Sequence, residues 1–372
     1  MRRMSLDVTH VTRRDVWVGM LLYPRHTLPT AAAPVIVASG LALGDGVWAP
    51  LPAVAAFMAG WLIQLGGVIA DNYHNLARHA DDKEHAAFVA ALRGGVVTLR
   101  ELKRTIVACY ALAALPGLYL VYVGGVPALV IGLAAIAASL AYSADPYPLG
   151  DHGLGDPLFF LFFGLVSVTG SYYVQAAAVL APPLALGVGP GTVTWTGVVA
   201  SLPVAALATN ILVIDNIRDL EYDRDKDERT MAVLIGPRWS RVEYVGLLTL
   251  AFAVPVGLWA WGGAAPRVLL PLLSLPYAAV VARRVMRERT HEAMIPLTPQ
   301  AAQVQLIFAL LFAVGLASGA RPSGGGSAVE RGVVGISARV AAIEGGAVGL
   351  GGRGAGREPR GQVGIRDEGS AE

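Results

Sequence analysis

Long apolar runs are the feature that most limits what this chain can fold into. Nine stretches are nearly free of charge over lengths close to the roughly 20 residues that an α-helix needs to cross a bilayer. Two of them, 158–170 and 245–261, are apolar almost all round, whereas a helix on a soluble protein keeps a polar face. We therefore predict an all-α polytopic membrane protein of about nine transmembrane helices around a central apolar chamber. The nine stretches are 30–44, 50–71, 105–123, 126–143, 157–181, 194–216, 244–262, 266–283 and 301–319.

The composition excludes several other classes of protein. Hydrophobic residues make up 55% of the chain and charged residues only 15%, against about 25% charged residues in an ordinary soluble domain. The 29 basic and 27 acidic residues leave a net charge of +2, so no overall field attracts nucleic acid. Because Cys109 is the single cysteine, an intrachain disulfide and a multi-cysteine metal site are also excluded.

The chain divides into three regions by composition. Residues 1–28 form a basic segment that we expect to lie at the membrane interface, and residues 29–319 hold the nine predicted helices. Residues 320–372 are rich in Gly, Ala and Arg and poor in aromatic residues, which predicts a disordered tail.

Positive charge alternates between the loops. The loops after the second, sixth and eighth apolar stretches carry many Lys and Arg residues, whereas those after the first, third, fifth and seventh are short and nearly free of them. The positive-inside rule then places the basic loops and the N-terminus in the cytoplasm. We expect an integral protein of a bacterial-type cytoplasmic membrane, with an oligomeric state that the sequence leaves open.

Two acidic clusters occur where the second and sixth stretches end, which places both on one side of the membrane. The first begins with Asp71, Asn72 and Asn75 and continues to Asp81 and Lys83. On a continuing helix Asp71 and Asn75 share one face. The second cluster consists of Asp215, Asp219 and Asp223, at positions i, i+4 and i+8, and includes Arg218.

Carboxylates on successive helical turns repel one another unless a cation joins them, and hard oxygen ligands suit Mg²⁺. Mg²⁺ favours phosphate as a further ligand, and arginine binds phosphate with two parallel hydrogen bonds. The clusters therefore indicate a magnesium–diphosphate site, and an apolar chamber below it favours a prenyl diphosphate. Salt bridges at a solvated helix end remain the alternative for the acids beyond the span, whereas Asp215 lies within it, where charge is costly and usually functional.

Several motifs resemble the UbiA superfamily of membrane aromatic prenyltransferases, and within it the 1,4-dihydroxy-2-naphthoate polyprenyltransferases. The resemblance covers about residues 22–319. The stretch 216–223, Asn-Ile-Arg-Asp-Leu-Glu-Tyr-Asp, continues to 229–233 and is similar to the second aspartate motif of that branch. The segments 24–29, 153–156, 162–164 and 172–175 resemble its entry motif, its inner loop and its fifth-span signature.

The first motif departs from the family pattern. Where the branch reads Asn-Asp-Tyr-x-Asp, this chain reads Asp-Asn-Tyr-His-Asn over residues 71–75, so that Asn72 and Asn75 stand in place of two aspartates. Asparagine oxygens can bind Mg²⁺ without supplying charge, which predicts weaker metal binding. In the second motif Glu228 stands where the family has lysine.

The resemblance implies roles for individual residues. Mg²⁺ is bound by Asp219 and Asp223 together with the first cluster, and Asp215 and Asp81 belong to the same catalytic group. The diphosphate is bound by positively charged residues, namely Arg93, Arg218, Arg229 and Lys83. The acceptor ring and the allylic cation are enclosed by Asn216, Tyr142, Tyr172 and Gln175. Helix packing or interfacial anchoring is the alternative role for the tyrosines, and Gln64 and Gln175 either join helices or touch the acceptor.

The resemblance also implies the reaction. A polyprenyl group passes from its diphosphate to 1,4-dihydroxy-2-naphthoate with loss of carbon dioxide, which yields demethylmenaquinol in menaquinone biosynthesis. Another aromatic acceptor, such as 4-hydroxybenzoate or homogentisate, is the first alternative. A non-catalytic relative that binds a prenyl lipid is the second, and a transporter is the third.

Overall fold

The structure, a computed structural model, describes residues 12–14, 17, 27–78 and 86–319. Within these ranges every regular element is helical, in agreement with the predicted class. The tail from 320 and most of the segment 1–28 lie outside the described residues. The helices are α1 (Thr27–Gly44), α2 (Pro50–Arg78), α3 (Ala86–Arg93), α4 (Leu99–Ser143), α5 (Gly155–Leu180), α6 (Trp195–Asp225), α7 (Met231–Ala260), α8 (Pro266–Arg287) and α9 (Leu297–Ala317), the last preceded by the single turn His291–Met294.

Eight helical segments in the described ranges are long and apolar enough to cross a membrane, and one of them is a hairpin. α4 has 45 residues, but Gly125 adopts φ 64° and ψ −152°, a conformation that favours glycine. The chain reverses there, since the hydroxyls of Tyr110 and Ser139, 29 residues apart, are hydrogen-bonded at 3.0 Å. The halves 99–124 and 126–143 are therefore two helices, which brings the helices of membrane-spanning length in the described ranges to nine, the number predicted.

The helices differ in how much protein surrounds them. In α6, 83% of the most apolar 18-residue window is buried inside the protein, whereas in α4 the share is 22%. The exposed side of α4 carries Leu112, Leu115 and Leu118, which suit contact with lipid tails. α6 is thus the central helix, and its acidic end projects from the middle of the bundle.

The start of α5 approaches α6 very closely. A Cβ atom on Gly164 would collide with the backbone and Cβ of Ala205, so only glycine allows this approach. Gly164 lies in a π-helical stretch, Phe160–Val166, and such stretches often mark functional sites. The close contact packs α5 against the middle of α6, and a hydrogen bond from Asn216 to Asp156 brings the beginning of α5 beside the acidic end of α6.

Candidate active site at the ends of α2 and α6

Three aspartates at the end of α6 lie on one face and are bound by side chains of the protein. Asp219 and Asp223 are 8% and 6% exposed. The guanidinium of Arg218 forms very short ion pairs with both Asp215 and Asp219, and its Nε donates to Asp219 Oδ1 at 2.7 Å. The Thr230 hydroxyl donates to Asp223 Oδ2 at 2.8 Å. Burial would make unpaired carboxylates costly, and these contacts offset that cost.

Two further partners come from the first turn of α9 and from the short segment before it. Thr298, which is 2% exposed, donates its hydroxyl to Asp215 Oδ1 at 2.6 Å. His291 places Nδ1 3.2 Å from Asp219 Oδ1. Sequence reasoning missed both residues, because they lie more than 70 positions after the aspartates and belong to no recognised spacing. Their positions show that the start of α9 forms one wall of the acidic cluster.

The end of α2 carries the first cluster. Asp71, Asn75 and Arg78 follow one another at helical spacing on one face. Arg78 Nη2 donates to Asn75 Oδ1 at 3.4 Å. The amide of Asn72 instead donates to the carbonyl oxygen of Val68 in its own helix, at 2.8 Å. The two asparagines of the altered motif therefore have different surroundings.

The loop between α4 and α5 joins the two acidic helices. The Asp151 carboxylate accepts a hydrogen bond from Arg78 Nη1 at 2.7 Å, and its backbone oxygen accepts one from the Arg229 amide, also at 2.7 Å. The first contact ties the loop to the end of α2, and the second ties it to the segment that follows α6. These two contacts hold the loop beside the ends of both acidic helices.

Both clusters converge on Tyr142, near the end of α4. Its ring packs against Gly150 and Gly155, where a larger residue would collide with it or crowd it. Asn216 lies beside this ring, since its amide donates to the buried Asp156 at 3.1 Å. Four carboxylates act electrostatically on the Tyr142 hydroxyl, namely those of Asp71, Asp151, Asp156 and Asp215. Tyr142 and Asn216 therefore lie close to the acidic residues.

Tyr172 and Gln175 are far from the acidic residues, contrary to the sequence-based prediction. Tyr172 lies about 25 Å along α5 from its first residue, at 1.5 Å per residue. Its hydroxyl donates to the carboxylate of Asp45, in the turn after α1, at 2.9 Å. Gln175 is fully buried one turn further on and donates to the backbone oxygen of Ser171. Tyr172 thus ties α5 to the turn after α1 at the opposite end of the bundle, and Gln175 lies buried one turn beyond it.

The residues predicted to bind the diphosphate do not all lie together at the aspartates. Asp81 and Lys83 lie outside the described residues. Arg93 is the exposed last residue of α3, and Arg229 exposes its side chain while its backbone contacts Asp151. Arg218 is the one among the described candidates that directly contacts the aspartates.

Glu228 adds to the negative charge of the site. Its backbone amide donates to the carbonyl oxygen of Asp223 at 2.9 Å, which holds it close to the end of α6. Burial and the neighbouring carboxylates of Asp151, Asp223 and Asp71 raise the pKa of the Glu228 side chain to about 8. The Lys226 charge only partly opposes them. Among the residues that the structure describes here, carboxylates outnumber cations, and a bound cation would reduce their mutual repulsion.

The carboxylates of the site suit a metal ion that takes some of its ligands from the protein and the others from a substrate. Within the ranges 27–78 and 86–319, no three His, Cys, Asp or Glu side chains converge closely enough to bind a metal by themselves. Mg²⁺ is commonly bound by one or two carboxylates, with water and substrate phosphates as the remaining ligands. Carboxylates on successive turns of α6, together with Asp71 of α2, match that arrangement.

Known proteins resemble this chain in both sequence and fold. The family model for the UbiA prenyltransferase family matches residues 31–307. The 1,4-dihydroxy-2-naphthoate octaprenyltransferase of Escherichia coli is 32% identical, covering 82% of this chain and 96% of that protein. The enzyme of the same name from Mycobacterium tuberculosis is 30% identical over 79% of this chain and 94% of its own length.

Solved structures share the fold at lower identity. An apo UbiA homolog from Aeropyrum pernix has a TM-score of 0.58 and 18% identity, covering 79% of this chain and 96% of that one. A UbiA homolog from Archaeoglobus fulgidus, bound to DMAPP and Mg²⁺, has a TM-score of 0.51 and 13% identity, with coverage of 80% and 99%. The helical bundle and the extent of the family match agree. The chain belongs to the UbiA family and is a membrane prenyltransferase.

Proposed function

We propose that this enzyme transfers a polyprenyl group from prenyl diphosphate to 1,4-dihydroxy-2-naphthoate, in a Mg²⁺-dependent reaction that releases carbon dioxide. The observation that carries the proposal is the convergence of two acidic helix ends on Tyr142, where apolar helices begin. The names of the relatives that match about four-fifths of the chain support the naphthoate as acceptor.

The proposed metal ligands lie on both helix ends. Asp219 and Asp223 bind Mg²⁺ from α6, and Asp71 faces them from α2, with Asn72, Asn75 and Asp81 assigned to the same set. Mg²⁺, when bound, neutralises the diphosphate and makes it a better leaving group. Asp215 completes the catalytic group, since it lies one turn from Asp219 and shares Arg218 with it.

Arg218 has a second role in the proposal. Its guanidinium presents a fork of donors that carboxylates and phosphates accept equally well. In this structure the fork binds Asp215 and Asp219, and we propose that part of it turns to the diphosphate when substrate enters. Arg93, Arg229 and Lys83 are the further diphosphate-binding residues of the proposal.

The reaction is electrophilic aromatic substitution. The bond between the allylic carbon and the diphosphate oxygen breaks, and its electron pair leaves with the diphosphate. The ring supplies the pair for the new carbon–carbon bond, and the carboxylate departs as carbon dioxide, whose bonding pair restores the aromatic ring. Tyr142 presents its ring to the developing cation, and Asn216 helps to hold the acceptor. The surrounding apolar helices exclude water from the cation.

We further propose that the acidic helix ends face the cytoplasm of a bacterial cell. α2 and α6 both end on the side where α1 begins, and the loops on that side carry most of the Lys and Arg residues. A reporter fused after α6 and another fused after α7 should therefore report opposite sides of the membrane.

A substrate assay tests the proposed function. Purified protein in detergent is supplied with Mg²⁺, geranylgeranyl diphosphate and one acceptor at a time, namely carboxyl-labelled 1,4-dihydroxy-2-naphthoate, 4-hydroxybenzoate or homogentisate. The expected result is prenylated product and labelled carbon dioxide from the naphthoate, both lost when EDTA removes the metal. Product from 4-hydroxybenzoate or homogentisate alone would replace the proposed acceptor.

A further inference from the structure

A small polar cavity lies inside the membrane-spanning region, between α1, α2 and α5. Its volume is ≈ 50 Å³, enough for a few atoms of a ligand but too little for a whole bicyclic ring. Side chains with hydroxyl or amide groups come from all three helices, beside one aromatic ring. The main lining residues are Thr30, Pro34, Gln64, Phe163, Ser167 and Ser171.

Gln64 is the most informative of these residues. Its side-chain oxygen is buried and accepts no hydrogen bond from any residue in the described part of the chain. A buried polar atom of this kind costs free energy unless water or a ligand supplies a donor. The oxygen belongs to a residue that lines the cavity, so a donor in the cavity is a natural partner.

The cavity is connected to the acidic site by helix geometry. Gln64 precedes Asp71 by seven residues on α2, which is two turns on the same face and about 10 Å along the axis. On α5 the rings of Phe159 and Phe163 are stacked with centroids 4.5 Å apart, and Phe159 packs on Tyr142 at 5.8 Å. A row of aromatic rings therefore runs from the acidic site to the cavity wall.

We propose that this cavity holds the polar edge of the aromatic acceptor, a specificity contact that rests on the function proposed above. A ring hydroxyl donates to the side-chain oxygen of Gln64, and the ring itself lies against Phe163 and Phe159. Its reacting carbon then points back towards Tyr142 and the diphosphate. A prenyl chain has no donor for Gln64, so it occupies the apolar part of the chamber and not this cavity.

Replacing Gln64 by methionine tests the contact, because Met keeps the length of the side chain and removes its acceptor oxygen. The variant Gln64→Met should raise KM for the naphthoate about 2- to 10-fold, the effect of one neutral hydrogen bond. KM for the prenyl diphosphate and the Mg²⁺ dependence should not change. A rise in KM for the prenyl diphosphate with an unchanged KM for the naphthoate would overturn the proposal and assign the cavity to the prenyl chain.

Tyr110→Phe is the matched control. The change removes the hydrogen bond between the hydroxyls of Tyr110 and Ser139, both in α4. The Tyr110 ring lies against Gly66 of α2 and does not line the cavity. The control should leave KM for the naphthoate unchanged. An equal rise in both variants would show that loosened packing around α2 is responsible, which would also overturn the proposal.

A labelling experiment tests whether the naphthoate occupies this cavity and does not require turnover. In a Cys109→Ala background, Ser167→Cys places the sole thiol in the cavity wall. The naphthoate should slow its reaction with a small thiol reagent, whereas geranylgeranyl diphosphate should not. Unchanged labelling in the presence of naphthoate would refute the cavity assignment even if the enzyme were active. Protection in a sample without turnover would support the binding site and place the failure in the proposed reaction.

Discussion

At the end of α6 three aspartates are held by neighbouring side chains, whereas at the end of α2 one aspartate is accompanied by two asparagines. Asp219 and Asp223 are almost fully buried, and Asp71 and Asn75 are only half-buried. The first set is balanced by Arg218, together with hydroxyls from the segments that follow. In the described part of the chain, the second is tied to the rest of the protein through the contact of Arg78 with the α4–α5 loop.

This difference indicates that the two helix ends contribute differently to binding and turnover. The α6 end is assembled before substrate arrives, because its charges are already positioned by protein contacts. The described part of the α2 end supplies fewer carboxylates than the α6 end, so it depends more on what the substrate and metal bring. Mutations at the α6 end should therefore affect turnover strongly, and those at the α2 end should mainly affect metal affinity.

The largest effect is expected from Asp219→Asn. The change removes one metal-binding charge and leaves Arg218 and His291 facing a neutral amide. Turnover should fall by about 100-fold or more, since loss of even an outer partner of a metal site costs about 10- to 100-fold. Asp225→Asn, on an exposed acid at the same helix end, should retain activity. Comparable rates for the two variants would contradict the assignment.

A smaller loss is expected from Thr298→Val, which removes the hydroxyl that donates to Asp215 but keeps the shape of the side chain. Turnover at saturating substrate should fall about 10-fold, within the range for groups that orient metal-site ligands. Thr298→Ser restores the donor and should recover most of the rate. If serine and valine gave the same rate, the hydroxyl would have no positioning role.

The sequence predicted the helices and the α6 aspartates because each rests on a local pattern. Apolar length marks a membrane crossing, and spacing of four residues puts Asp215, Asp219 and Asp223 on one face. Thr298 and His291 were not predictable, since they reach the aspartates through packing of helices far apart in the chain. Tyr172 lies far from the aspartates because it is about 25 Å from the start of α5, and spacing along one helix does not show how deep in the bundle a site lies.

Replacing each of the two asparagines at the α2 end by aspartate should change the Mg²⁺ dependence of the rate to different extents. Asn75→Asp adds a carboxylate on the face of Asp71 and strengthens the contact with Arg78, so the Mg²⁺ concentration for half-maximal rate should fall several-fold. Asn72→Asp gains charge but loses the hydrogen bond to Val68, and a smaller change is expected. A Mg²⁺ titration of the rate compares them. A larger gain from Asn72→Asp would mean that its side chain turns into the site when metal binds.

The smallest effect concerns pH and Glu228. Because its pKa is raised to about 8 in the folded protein and lies near 4.5 in the unfolded chain, the folded state retains a proton that the unfolded state has lost. Stability should therefore decline as pH rises from about 4.5 to 8 in the absence of Mg²⁺. Glu228→Gln carries no such proton and should show a shallower decline in melting temperature, measured in EDTA at several pH values. Identical slopes of melting temperature against pH for wild type and variant would show that Glu228 is not the group responsible. Addition of Mg²⁺ should reduce the wild-type slope, because the cation stabilises the carboxylate.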